Sequence, residues 1–162
     1  MSASATTTPD ALAINLSVAE KFRDNWVAGL SLPSAEFLTP FAPHAVWYDH
    51  FIRLHLTTLK AIEQSRMRWL GCLDDFKAST YAISPTPHGA VIQLKFSGIF
   101  ARDILPAREA TQKRFLTHVC FVLGIDDEGR IEKVDEYLPM DFDDGKDVDG
   151  YKVRDGGVVA KS

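Results

Sequence analysis

Residues 113–138 read KRFLTHVCFVLGIDDEGRIEKVDEYL, from Lys113 to Leu138. Two runs rich in β-branched, aromatic and apolar residues flank Asp126-Asp-Glu-Gly129, an acidic turn closed by glycine. That pattern predicts a β-hairpin, with one strand over 113–125 and its partner over 130–138. Upstream, Ala90 to Phe100 alternates, with Ile92, Leu94 and Phe96 on one face and Gln93, Lys95 and Ser97 on the other. This is the period of a half-buried strand. Residues 76–84 form another candidate strand, closed by Pro85, Pro87 and Gly89, and Gly98 marks a possible bend. Before residue 75 the period becomes helical. Val18, Phe22, Trp26 and Leu30 recur at every fourth position behind Ser17 and Glu20, which fit a capping box. A short helix over 34–38, a strand over 45–49 and a helix capped by Thr58 and running to about Leu73 complete the order. Helices come early and strands late, which predicts an α+β domain. Its curved, mainly antiparallel sheet would form a half-open cone around the N-terminal helices, with a ligand at the mouth.

The chain has 162 residues, 46% of them hydrophobic, enough for one domain with a sizeable core. The expected organisation is a flexible N-terminal tail over 1–16, one α+β domain over 17–142, and a polar tail over 143–162. The net charge of −4 and the scattered basic residues argue against a nucleic-acid partner. No apolar run is long enough to span a bilayer, and the N-terminus lacks the pattern of a secretory signal. Cys72 and Cys120 lie among apolar neighbours and read as free thiols in a reducing, cytoplasmic setting. Zinc-ligand spacings, phosphate-binding loops, nucleotide fingerprints and nucleophile elbows are not found, so no cofactor and no metal are expected.

Three segments carry a resemblance. They are Phe41-Ala-Pro-His-Ala-Val-Trp-Tyr-Asp49 after an amphipathic helix, Phe96-Ser-Gly-Ile-Phe100, and above all Ile125 to Tyr137. In this order, over most of 17–142, the chain resembles the nuclear-transport-factor-2-like superfamily and, within it, SnoaL-like cyclases and isomerases of fungal-type secondary metabolism. The resemblance implies a cofactor-independent enzyme, often dimeric, in a superfamily that also holds non-enzymes. It also implies that the acid before Tyr137, which is Glu136, points into the pocket. Pro139 stands where an Asp is common, so a second terminal carboxylate does not carry over.

Glu136 is therefore the first candidate for catalysis. Strand alternation puts Glu132, Val134, Glu136 and Leu138 on one face and Lys133, Asp135 and Tyr137 on the other. A carboxyl on the apolar side would be desolvated and able to exchange a proton near neutral pH. A one-residue slip would put Asp135 there instead. Tyr48, Asp49 and His50 form a second cluster, of which either Tyr48 and His50 or Asp49 alone faces inward. His118, with Leu116, Cys120 and Val122 on its strand face, reads as a packed histidine or as an acid/base group. Arg66 interrupts the apolar face of the third helix beside Trp69, and a buried arginine needs a partner oxygen. Trp26, Trp69, Phe96, Phe121 and Leu138 are candidate pocket walls, although most aromatic residues belong in a core.

Two functions follow as expectations. The first is an isomerase, cyclase or dehydratase acting on a hydrophobic polycyclic polyketide- or terpenoid-derived molecule. The second is a ligand-binding module without chemistry, favoured if Glu136, His118 and Tyr48 do not converge on one cavity. A third, epoxide hydrolysis, needs Glu136, Asp49 and Arg66 all pointing inward.

Overall fold

The computed structural model describes residues 9–104 and 109–139. Three helices, α1 (Pro9–Ala28), α2 (Ser34–Phe37) and α3 (Leu59–Gly71), pack against one six-stranded sheet. Its strands are β1 (Phe41–Asp49), β2 (Leu54–Leu56), β3 (Leu73–Thr86), β4 (Gly89–Phe100), β5 (Arg114–Ile125) and β6 (Ile131–Tyr137). They lie in the order β2-β1-β6-β5-β4-β3. Every neighbouring pair is antiparallel except β1 and β6, which run parallel. The α+β cone expected from the order of elements is therefore the fold.

The strand faces follow from alternation. Phe115, Thr117, Val119, Phe121 and Leu123 of β5 are buried, as are Ile92, Leu94 and Phe96 of β4. α1 lays Ala19, Phe22 and Trp26 on this face, each essentially inaccessible to solvent. The Phe22 ring meets Phe121 edge-on at 5.1 Å, and Trp26 lies 5.1 Å from Phe96. These large buried rings dominate the hydrophobic stabilisation of the domain.

α1 begins at Pro9, so residues 9–16, expected in a tail, are helical. Ser17 sits exposed in mid-helix and caps nothing; proline favours the first helical position. Asn15 extends the buried stripe one turn further back and donates from Nδ2 to the carbonyl of Thr86, pinning α1 to the end of β3. Leu30 leaves the stripe because the chain tightens into a 3-10 turn at Gly29–Ser31, and it is exposed. Thr58 caps α3 as expected, its hydroxyl accepting from the amide of Ala61 at 3.2 Å. The bend at Gly98 lies on the partner strand: β3 shifts register between Asp74 and Lys77, with Asp75 at φ +52. A Cβ at Gly98 would stand 3.0 Å from the Asp74 carbonyl, so glycine permits the close approach. Glu132 does not share the face of Glu136. The β5–β6 register shifts between Gly124 and Ile125, which leaves Glu132 as an extra residue on β6, turned to solvent near His44. The expected tails at 1–8 and 143–162 lie outside the described residues. No described helix is long and apolar enough to cross a membrane.

Candidate active site

Residues on β1 that point inward alternate, so Trp47 and Asp49 face the interior while Tyr48 does not. On β6 the inward set is Val134, Glu136 and Leu138. The parallel ladder places Trp47 opposite Val134 and Asp49 opposite Glu136. Both carboxyls therefore stand side by side in the wall of a cavity of ≈ 330 Å³. α3 forms another side of it with Ile62, Ser65, Arg66 and Trp69, and Trp26 of α1, Leu54 and Leu56 of β2, and Leu138 add apolar surface. Phe51 and Ile52, in the β1–β2 turn, line the cavity while remaining exposed, which places them at its mouth.

Glu136 is enclosed by protein, and the surface it keeps belongs to the cavity wall. The Trp47 indole donates from Nε1 to Glu136 Oε2 at 2.8 Å. Burial pushes the Glu136 carboxyl up to about 8, the charge of Asp49 adds to the shift, and the Trp47 hydrogen bond opposes it. A carboxyl held neutral in an apolar site can donate a hydrogen bond or a proton. Asp49 is anchored differently. Its Oδ1 accepts from the backbone amides of Phe51 and Ile52 at 2.9 and 3.1 Å. The second oxygen, Oδ2, has no bond within the protein among these contacts. Two carboxyls in contact with one cavity, one driven to its neutral form and one bonded as an acceptor, have the makings of an acid and a base.

Arg66 is 3% exposed, and burial lowers its pKa. Its guanidinium lies over the Phe37 ring at 4.4 Å and donates from Nη2 to the carbonyl of Gly29. Among the described residues its Nε has no hydrogen-bond partner, and neither has Nε1 of Trp26.

Several expected site residues lie elsewhere. His118 is on the outer face of β5, because inward positions are taken by Thr117 and Val119; its ring meets Tyr81 edge-on at 5.6 Å. Tyr48 and His50 also face outward. Tyr48 stacks on His55 at 4.2 Å, and His50 stacks on Tyr137 at 4.6 Å and bonds Asp135 Oδ1 at 2.9 Å. Asp135, the rival to Glu136, belongs to this outer cluster. It is shared by His50 and Lys133, whose hydrogen bonds hold its carboxyl low against the opposing effect of burial. Phe96 and Phe121 are fully buried behind Trp26 and take no part in the wall. Trp26, Trp69, Arg66 and Leu138 do line it. Glu136, His118 and Tyr48 thus do not converge, the condition set for a plain binding module. Asp49 and Trp47 meet Glu136 in their place. Alternation carried the signal for Asp49 and Trp47; the indole hydrogen bond and the wall residues Phe51, Ile52 and Ile104 had none.

Cys72 and Cys120 are free, and burial raises the pKa of both. Among the described residues no group of three or more His, Cys, Asp or Glu side chains is arranged to hold a metal.

Solved structures with this arrangement were found. A protein of Jannaschia sp. CCS1 named for its likeness to SnoaL polyketide cyclases superposes with a TM-score of 0.68 at 10% identity, covering 81% of this chain and 88% of its own. A nuclear-transport-factor-2-like protein of Burkholderia thailandensis gives 0.60 at 18% identity, covering 75% and 90%. A protein of Catenulispora acidiphila with a ketosteroid-isomerase-like fold gives 0.57 at 16% identity, covering 84% and 90%. The fold is nuclear-transport-factor-2-like. No family model and no curated protein sequence matches the chain. Identities this low speak for the nuclear-transport-factor-2-like architecture and not for a reaction. The inner face of the cone holds the Asp49–Glu136 pair.

Proposed function

We propose that the protein is an acid/base enzyme of the isomerase or cyclase type, acting on a hydrophobic ring-bearing ketone or alcohol within the cone. The observation that carries this reading is the pairing of Glu136, whose carboxyl burial pushes up to about 8, with Asp49 in the wall of an apolar chamber. In the favoured mechanism Glu136 donates a hydrogen bond to the substrate carbonyl oxygen as Asp49 Oδ2 removes a proton from the adjacent carbon. Negative charge develops on the carbonyl oxygen, where the Glu136 proton meets it. With a β,γ-unsaturated ketone, the dienol then takes the proton back from Asp49 at the γ-carbon, which moves the double bond into conjugation. Alternatively its carbon attacks a second carbonyl of the same molecule, which closes a ring. Dehydration uses the same groups: Glu136 protonates the departing hydroxyl and Asp49 removes the neighbouring proton. The walls hold the substrate in a reactive conformation.

A cavity of ≈ 330 Å³ lies at the small end of ligand-binding pockets. This favours a substrate of about two fused rings. The flat indoles of Trp26, Trp47 and Trp69 suit planar rings.

The test is proton exchange at the α-carbon of a bicyclic ketone such as 2-tetralone, followed by NMR in D₂O. Wild-type protein should accelerate the exchange, and Asp49→Asn and Glu136→Gln should each slow it by about 10²–10⁴-fold. Exchange at the buffer rate with wild-type protein, or unchanged exchange in both variants, would overturn the reading. One observation favours a second reading, water addition to an epoxide: Asp49, Glu136 and Arg66 all contribute to the wall. The isomerase reading is preferred because Arg66 is bonded to Gly29 and makes no ion pair with either carboxyl.

A further inference from the structure

Arg66 is the one guanidinium in the cavity wall that is almost wholly buried. It falls between Ile62 and Trp69 on α3, four residues after one and three before the other, so all three share a helix face. An arginine at such a position is costly unless its charge is met by an acceptor of opposite sign. Within the protein it meets little. Nη2 donates to the Gly29 carbonyl, Nη1 points to the Met67 sulfur at 3.6 Å, and Nε has no partner. The Phe37 ring covers one face of the guanidinium. Glu63 is near enough to be felt, but it forms no ion pair with Arg66, and its Oε1 accepts from the Ser34 hydroxyl at 2.5 Å. Arg66 enters the wall from α3, whereas the two carboxyls enter it from β1 and β6.

The cavity thus has two polar ends on an apolar body. One end, on β1 and β6, has two carboxyls and repels an anion. The other, on α3, has the buried cation Arg66, with the exposed Arg68 also in the wall. We infer that Arg66 forms an anion subsite, and that the ligand is a hydrophobic, planar carboxylate whose acid group pairs with Arg66. This deepens the proposed function and rests on it for the placement of the reacting carbon: the carboxylate docks on α3 and the enolisable ketone meets Asp49 and Glu136. A guanidinium suits a carboxylate because its fork of N–H donors matches the two oxygens.

The test uses 2-naphthoate and its neutral isostere 2-naphthamide, with binding followed by quenching of tryptophan fluorescence. Wild-type protein should hold the acid tighter than the amide by about tenfold or more, the range of a charge-assisted hydrogen bond. Arg66→Gln should abolish that preference while still binding the amide, and Arg66→Lys should keep part of it. Equal binding of the two probes by wild type, binding of neither, or a full preference surviving in Arg66→Gln would overturn the subsite. If Arg66→Gln does not fold, the wild-type comparison and Arg66→Lys still decide, since loss of the whole preference in a folded Arg66→Lys leaves geometry, not charge, unexplained and sinks the charge pairing. Glu136→Gln separates this inference from the catalytic reading. It should keep the carboxylate preference whether or not proton exchange depends on Glu136.

Discussion

Asp49 and Glu136 are direct partners in the one parallel ladder of the sheet, β1 against β6. Neighbouring strands lie about 4.8 Å apart, so like-charged groups on the same face at that spacing cannot both ionise cheaply. Burial makes Glu136 the member that keeps its proton, against the opposing hydrogen bond from Trp47 to Oε2. The other oxygen, Oε1, is left to carry the proton.

The first prediction concerns pH and stability. The folded pKa of Glu136, about 8, exceeds its ordinary value of 4.5. The folded state therefore holds a proton that the unfolded chain releases. This group's contribution is fully present below about 4.5 and is lost as pH rises through about 8. Stability should fall across that window, by up to about 1.4 kcal/mol per pH unit. Glu136→Gln should flatten the slope in denaturant titrations at successive pH values. An equal slope in wild type and variant would show that Glu136 titrates normally.

Catalysis should follow the same proton. The rate of α-proton exchange should decline above pH about 8 as neutral Glu136 is lost. A rate that keeps rising through that region would exclude Glu136 as the acid.

Trp47→Phe removes the donor that favours the ionised form of Glu136. The variant's Glu136 pKa should rise further, and the alkaline limb of the activity profile should move up with it. Carbon-13 NMR of labelled glutamate would read the shift directly. The lost bond and the smaller ring should cost about 1–3 kcal/mol of stability.

His118→Gln should leave proton exchange unchanged, since the ring lies outside the cone against Tyr81. Loss of activity in a folded variant would mean that the outer face takes part in the chemistry.

Gly89→Ala should destabilise the sheet by about 2 kcal/mol or more, through overpacking against backbone. An added Cβ would lie 1.7 Å from the Leu123 carbonyl oxygen. Thermal unfolding of the variant gives the measurement, and an unchanged midpoint would contradict this close approach of β4 to β5.

The sequence by itself determined the order of elements, the α+β class and the inward face of β4. Those features rest on periodicity, which is local and is written into consecutive residues. It also put Glu136 first for the chemistry and left both parities of β1 open. Three things were decided by tertiary structure. The parallel pairing of β1 with β6 joins residues 49 and 136, and only that long-range register makes Asp49 the partner of Glu136. The direction each strand face takes was settled by α1, whose Phe22 and Trp26 cover one side of the sheet and so leave His118, Tyr48 and His50 on the other. The register shift between Gly124 and Ile125 in the β5–β6 ladder leaves Glu132 as an extra residue turned to solvent while Glu136 stays inside, because a bulge inverts an alternation that the sequence writes without interruption.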